Sequence, residues 1–313
     1  MHDDLNRLLA AIRAQPWAIM PEYLAAIEAI ALRAFEAGAL ADVAADGHQD
    51  RLAQSLEAVA AVGLRLEGTM GATQRDGAAV VPVLGPIFPR ANMMNSSAGG
   101  TSLANVMHDL RAAEANASVE RIVMFYDSPG GVVSGLAEAA EGIRSLSKPV
   151  TAFVTGSAAS AAYWLASQAG EIVMDASAMV GSLGVMMSLS KQVQAGADGR
   201  MGYEIVSSGA PFKRADPETE EGRAVLQGMV DAAEAVFFAD VARGRGVSVA
   251  TVRSEFGRGG MVAARQAVED GLADRIGTLE SVLSKGRPAA GNRAGAQRAR
   301  LSGEVQQRRR AAQ

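Results

Sequence analysis

From Ala79 to Gly277 the chain alternates short β-branched runs with longer runs of helical spacing. The β-branched runs cover residues 79–87 (AVVPVLGPI), 121–127, 149–154, 171–175 and 203–209. Between them, 133–146, 157–168 and 217–243 read as helices. Another helix starts at Thr101, with Leu103, Val106, Met107 and Leu110 on one face, and 93–100 reads as a loop. A short helix follows 249, and AARQAVEDGLADRIG reads as a helix with a glycine stop. Strands that alternate with helices pair in parallel, because a parallel neighbour needs a crossover. The pattern therefore predicts an α/β fold with a parallel sheet and flanking helices.

The flanks differ. Leu5, Leu8, Leu9 and Ile12 keep helical spacing, as do Leu24, Ile27, Ile30, Ala31 and Phe35, and the run 52–66. This predicts a helical N-terminal arm over 1–75 and an α/β unit over 76–284. Beyond Lys285 the composition shifts to Gly, Ala, Gln and Arg, ending in Arg308, Arg309 and Arg310, which reads as a disordered basic tail over 285–313. That tail could bind acidic partners, nucleic acid only weakly. The net charge of -4 gives no bulk reason for nucleic-acid binding. The absence of cysteine excludes a disulfide scaffold, a thiol nucleophile and Cys-ligated zinc. Arg13, Glu22, Glu28 and Arg33 interrupt the apolar N-terminal stretch, and Pro16 and Pro21 break it, so no membrane span is expected. Asp3 and Asp4 stand where a secretory leader needs positive charge. A cytoplasmic protein is the expectation.

Three small-residue turns follow apolar runs: Asp127-Ser128-Pro129-Gly130-Gly131, Gly156 to Tyr163, and Val180-Gly181-Ser182-Leu183-Gly184-Val185. Sequential parallel strands bring such turns to one edge of a sheet, where sites form. Acyl transfer needs a nucleophile on a sharp strand-to-helix turn, beside backbone amides that hold an oxyanion. Ser160 fits, near the start of a helix rich in small residues. Gly130 and Gly131 can supply a second amide, since neither has a side chain in the way.

His2 and His48 lie in the arm, and His108 lies on a helix with no triad-like neighbourhood, so a Ser/His/Asp triad fits poorly. Lysine can act as a base when burial lowers its pKa, whereas arginine stays protonated. Of Lys148, Lys191, Lys213 and Lys285, only Lys213 follows an expected strand and turn. Pro211 and Phe212 flank it and are expected to desolvate it.

The stretch from about Ala79 to Gly277 resembles the signal peptide peptidase A family of serine peptidases, most strongly its phage branch of head maturation proteases, or minor capsid protein C. The matching motifs are VVPVLGPI, SPGG at Ser128, KPVTAFV followed by GSAASAAYWLA, GSLGVMMS at Gly181, SSGAPFK and AVEDGLADRIG. The resemblance implies a crotonase-like, Clp-protease-like superfold. It implies Ser160 as nucleophile, Lys213 as general base and Ser182 as the hydroxyl that orients the lysine. It places the oxyanion on Gly130 or Gly131 together with the Ala161 amide. It implies no cofactor and no metal, capsid, scaffold or portal proteins as substrates, and a homo-oligomer in the host cytoplasm or procapsid. In the signal peptide peptidase branch the dyad can be assembled from neighbouring subunits.

Two departures stand out. Ala161-Ala162 replaces the glycines many relatives carry after the nucleophile, and Phe212 replaces a more polar residue. The small residues around Ser160 predict a shallow pocket that prefers residues such as alanine before the cut. Rival readings are a cellular signal peptide peptidase, a non-catalytic capsid assembly or scaffold protein, and a crotonase-type acyl-CoA enzyme.

Overall fold

Every residue of the run Ile122 to Tyr126 is buried, which a strand achieves only when both faces of its sheet are covered. The structure, a computed structural model, describes residues 15–36, 62–90, 100–189 and 205–284, with Ile12 and Glu57 besides. The run lies in β7 (Arg121–Ser128), which pairs in parallel with β4 (Ala78–Leu84) on one side and β9 (Val150–Ala159) on the other. The first half of β9 continues in parallel onto β10 (Glu171–Met174) and its second half onto β11 (Met179–Gly181). Beyond these, β12 (Met261–Ala263) joins β11 antiparallel, and β13 (Arg275–Ile276) joins β10 in parallel. On the far side β3 (Thr73–Arg75) and β2 (Leu64–Arg65) extend β4 antiparallel.

Period-two alternation sorts the side chains. Val81, Val83, Ile122, Met124, Ala152 and Val154 enter the main core. That core also holds residues of α2 (Leu103–Ala115), α3 (Leu136–Arg144), α4 (Ala161–Ala166) and the end of α5 (Glu220–Arg245). Val80, Val123, Phe125 and Phe153 enter a smaller cluster on the other face, closed by Leu283 of α8 (Leu279–Leu283). The predicted α/β class with a parallel sheet and flanking helices is the observed one. Helices α1 (Pro21–Glu36), α6 (Val249–Glu255) and α7 (Ala264–Glu269) complete the described set.

A second sheet runs in the order β1 (Trp17–Ile19), β8 (Gly130–Val132), β5 (Ile87–Phe88), β6 (Thr101–Ser102). The chain crosses from the large sheet to the small one twice, at Gly85-Pro86 and at Pro129. The crossings are tied together: the Gly85 amide donates to Asp127 O at 2.9 Å, and the Ser128 hydroxyl donates to Gly85 O at 2.7 Å.

Several sequence expectations need correction. The run 79–87 is not one strand but β4 and β5, in different sheets, because Gly85-Pro86 turns the chain. The helix expected over 157–168 starts only at Ala161, since Ser157, Ala158 and Ala159 pair with β11 as the end of β9. Residues 205–209 form no strand, and Ile205 is 98% exposed, unpaired with any described strand. The expected N-terminal helices include α1, but 17–19 and 64–65 are strands. The helix at Leu5 to Leu9, the bulk of 52–61, the loop at 93–99, Lys191, positions 203–204 and the tail from Lys285 lie outside the described residues.

Behind the sheet, Arg245 is fully buried and pairs with Asp274 through both terminal nitrogens at 3.1 Å, while its Nε donates to Gly271 O at 3.0 Å. Asp274 also accepts the Ile172 amide at 2.7 Å. Burial is the largest single influence and lowers the arginine pKa; the Asp274 charge, the Tyr163 side chain and the hydrogen bonds to Asp274 together outweigh it, and the pKa is raised. The GLAD motif thus pins the end of α5 to β10.

Candidate active site

Ser160 stands at the junction of β9 and α4 with φ 52° and ψ -114°, a backbone conformation a non-glycine residue adopts only under constraint. The constraints are visible. Its amide donates to Gly181 O at 2.7 Å, and its carbonyl accepts the Trp164 amide at 2.9 Å, opening α4. Ala158, Ala159, Ala161 and Ala162 around it are all fully buried, so larger side chains would have no room. Ser160 itself is fully buried, and its Oγ lies 3.4 Å from Gly184 O, a long contact. Ala161 is the first residue of α4, so its amide is one that no carbonyl within the helix can reach.

Ser182 has the same kind of strain, with φ 53°, and its amide donates to Gly260 O at 2.8 Å. It is half-buried. Gly181 between the two turns has φ 129°, and a Cβ there would lie 2.4 Å from Gly260 O. Ser160 and Ser182 are thus joined through one residue, each held in a strained turn.

Gly130 and Gly131 begin the small-sheet strand β8. A Cβ on Gly130 would meet Ala18 O at 2.3 Å and Ala159 O at 3.0 Å; one on Gly131 would meet Ile87 O at 2.0 Å. Backbone approaches from both sides, so only glycine fits. The Gly130 amide donates to Ser128 Oγ at 3.2 Å. Asp127 holds the β9 turn from the same side, accepting the Ser157 amide at 3.0 Å and its hydroxyl at 3.2 Å. The sequence reading treated Asp127 and Ser128 only as turn residues; their side chains organise the site.

Lys213 sits in a 3-10 helix, Pro211–Arg214, with its amide donating to Ala210 O at 3.1 Å. It is exposed, and Phe212 is 45% exposed, so Pro211 and Phe212 do not provide the expected desolvation within one copy of the chain. Among the described residues, no hydrogen bond joins Lys213 to Ser160 or Ser182. Of the other titratable candidates, the two that are described, His108 and Lys148, have structural posts. His108 Nε2 lies 2.9 Å from Gly68 O. Lys148 Nζ donates to Ala113 O at 2.8 Å and Asn116 O at 2.7 Å, capping the end of α2. Among the described residues, no cluster of histidine and acidic side chains could hold a metal ion.

The family profile described as peptidase family S49 matches residues 143–291, a stretch that contains Ser160, Ser182 and Lys213. Over that stretch the chain is similar to peptidase family S49. A second profile, Clp protease, matches residues 87–180 and takes in Gly130, Gly131 and Ser160. The chain is 31% identical over 218 residues to the head-tail preconnector protein GP5 of Enterobacteria phage P21, covering 67% of this chain and 42% of the relative. It is 28% identical over 233 residues to capsid assembly protease C of Escherichia phage lambda, covering 73% of this chain and 52% of that protein. With Protease 4 of Haemophilus influenzae it shares 27% identity over 216 residues, covering 66% and 34%. The chain therefore spans about half, or less, of the length of these curated relatives.

The sequence reading missed one more set of residues at the site. Trp17 to Ile19, assigned to a helical arm, lies directly against Gly130 to Val132. The available signal was a large-small-large run, Trp-Ala-Ile, between Pro16 and Pro21, which reads as a bounded strand.

Proposed function

We propose that the chain is a serine endopeptidase that uses a Ser160/Lys213 dyad to cut capsid or scaffold proteins during phage head maturation. The observation that carries the reading is the Ser160 turn: a buried, positive-φ serine between a parallel strand and a helix, one strand away from paired glycines. This geometry suits a nucleophile more than a packing residue, because a packing serine has no need of a strained backbone. The likeness to capsid assembly protease C supports the phage substrate class.

In this mechanism neutral Lys213 takes the Ser160 Oγ proton and Oγ bonds to the peptide carbonyl carbon. The oxyanion rests on the Ala161 amide and that of Gly130 or Gly131, and Ser182 orients the lysine. The C–N bond breaks as the lysine protonates the leaving amine. Water then gives its proton to the lysine and its hydroxide to the acyl carbon, and Ser160 is restored. In this reading Lys213, exposed in one copy, is desolvated by a second copy, and the active form is a homo-oligomer with Lys213 covered at an interface.

Co-expression with the cognate capsid and scaffold proteins, followed by intact mass, tests the reading. Cleavage with the parent chain and none with Ser160→Ala or Lys213→Ala supports it. Cleavage that survives Lys213→Ala removes the base. A second reading, a cellular signal-peptide-peptidase-like protease, is favoured by the likeness, 28% identity over 187 residues, to a putative signal peptide peptidase SppA of Enterococcus faecium. Cleavage of isolated signal peptides, with capsid proteins left intact, would select it.

A further inference from the structure

Strand β1 lies between Gly130 to Val132 and Met186, close to the residue before Ser160. Along one edge it pairs antiparallel with β8, Trp17 opposite Val132, Ala18 opposite Gly131 and Ile19 opposite Gly130. The ladder continues past the strand ends, with Val133 N donating to Pro16 O at 3.3 Å and Met20 N to Pro129 O at 2.9 Å. Along the other edge Trp17 and Met186 exchange both backbone hydrogen bonds at 2.8 Å, just after the turn that carries Ser182. The three-residue strand is therefore paired on both sides, between the glycine strand and the GSLG segment.

The C-terminal end of β1 is the end that approaches the Ser160 turn. Residue numbers in β1 rise from the Val132 end toward Gly130, and Gly130 is the residue whose missing Cβ leaves room for Ala18 O on one side and Ala159 O on the other. Only that glycine separates β1 from the residue before Ser160. Side chains add a grip: Trp17 and Ile19 enter a small apolar cluster with Phe88, Val132 and Met186, apart from the main core, and Trp17 meets Phe88 edge-on at 6.2 Å. Ala18 points the other way, into the main core.

The strand stops short of being cut. Met20 O accepts the amides of Tyr23 at 3.0 Å and Leu24 at 3.3 Å, so it is committed to opening α1. Pro21 starts that helix and turns the chain away. A carbonyl held in this way is not presented to oxyanion donors.

We propose that the channel between Gly130 to Val132 and Met186 is a peptide-binding slot, and that Trp17 to Ile19 is its resident, uncleavable ligand. A substrate enters as an extended strand with large apolar residues flanking a small one, and only by displacing β1. The chain as folded is therefore a latent form. The idea rests on the peptidase reading above for its consequence, but the slot can be tested separately by binding.

Trp17 spends both backbone groups on Met186, so Trp17 and Val132 form a non-hydrogen-bonded cross-strand pair, with Cα atoms about 4.5 Å apart, close enough for a disulfide. The chain has no cysteine of its own. In the full-length chain, Trp17→Cys with Val132→Cys locks β1 when oxidised and frees it when reduced. Ala18→Pro, which removes an amide from the β8 edge, frees it by an independent route. The probe is a fluorescein-labelled peptide of residues 15–20, read by anisotropy. The reduced pair and Ala18→Pro should bind it about tenfold or more tighter than the oxidised pair, because the lock removes the binding-competent fraction. Equal binding by the oxidised and reduced chains overturns the slot. Hydrolysis of a quenched peptide, followed in the same samples, reports the peptidase reading. Binding that follows the lock without hydrolysis in either state keeps the slot and sinks the peptidase. Equal hydrolysis in both states, with binding that ignores the lock, does the reverse. If Ala18→Pro fails to fold, the oxidised and reduced pair, one polypeptide in two states, still decides.

Discussion

The amide of Ser160 donates to the carbonyl of Gly181 at 2.7 Å, and through that bond the turn bearing the candidate nucleophile is fastened to the turn bearing Ser182. Gly181→Ala puts a Cβ 2.4 Å from Gly260 O at a φ of 129°, so the fastening must shift. We expect a stability loss of about 1–3 kcal/mol by thermal or urea unfolding. Labelling of Ser160 by a fluorophosphonate should fall further than stability alone accounts for. Unchanged labelling would separate the two turns functionally.

The glycines of β8 give a second test. Gly131→Ala places a methyl 2.0 Å from Ile87 O and should break the β5–β8 pairing. The expected result is a folded large sheet with a disturbed small one: loss of amide protection at Ile87 and Val132 in hydrogen exchange, and loss of peptide cleavage. Wild-type exchange in the variant would show that the sheet can yield there.

The pH profile should be one-sided. In the proposed dyad the neutral form of Lys213 is the reactive one, so cleavage per chain should rise toward alkaline pH. Because Lys213 is exposed within one copy, the rate per chain should also rise with protein concentration. A flat pH profile counts against the lysine, and a rate independent of dilution counts against its burial at an interface.

The Arg245–Asp274 pair predicts a large stability effect away from the chemistry. Arg245→Met takes the guanidinium away from the Asp274 carboxylate, which is 11% exposed, and should cost roughly 3–5 kcal/mol in chemical unfolding. Arg245→Met with Asp274→Leu should recover most of it. A single variant within about 0.5 kcal/mol of the parent would mean that the Ile172 amide and water suffice for Asp274.

The large sheet was legible because its strands are uniform. Ile122 to Tyr126 and Ala152 to Val154 are apolar or small on both faces, and the helices between them have clear stripes. Ser160 was legible from small residues after a strand. What failed was local propensity against tertiary pairing. Ser157-Ala158-Ala159 favours helix by composition, yet Asp127 grips Ser157 and β11 pairs with all three. The run at 203–209 has β-branched character, but its described part has no sheet edge to join. Lys213 was singled out by elimination among lysines, and its surroundings depend on packing that no local pattern encodes. Trp17 to Ile19 was hidden because three residues are too few for periodicity to register.

The Ser128 hydroxyl, tying the two chain crossings together at Gly85 O and receiving the Gly130 amide, changes how a mutational survey of this protein should be read. In a survey scored on cleavage alone, position 128 would rank beside position 160, although its hydroxyl is spent on the main chain. Scoring the same library on the amount of soluble protein as well would part them: Ser160→Ala should accumulate normally, whereas Ser128→Ala should be lost from both scores.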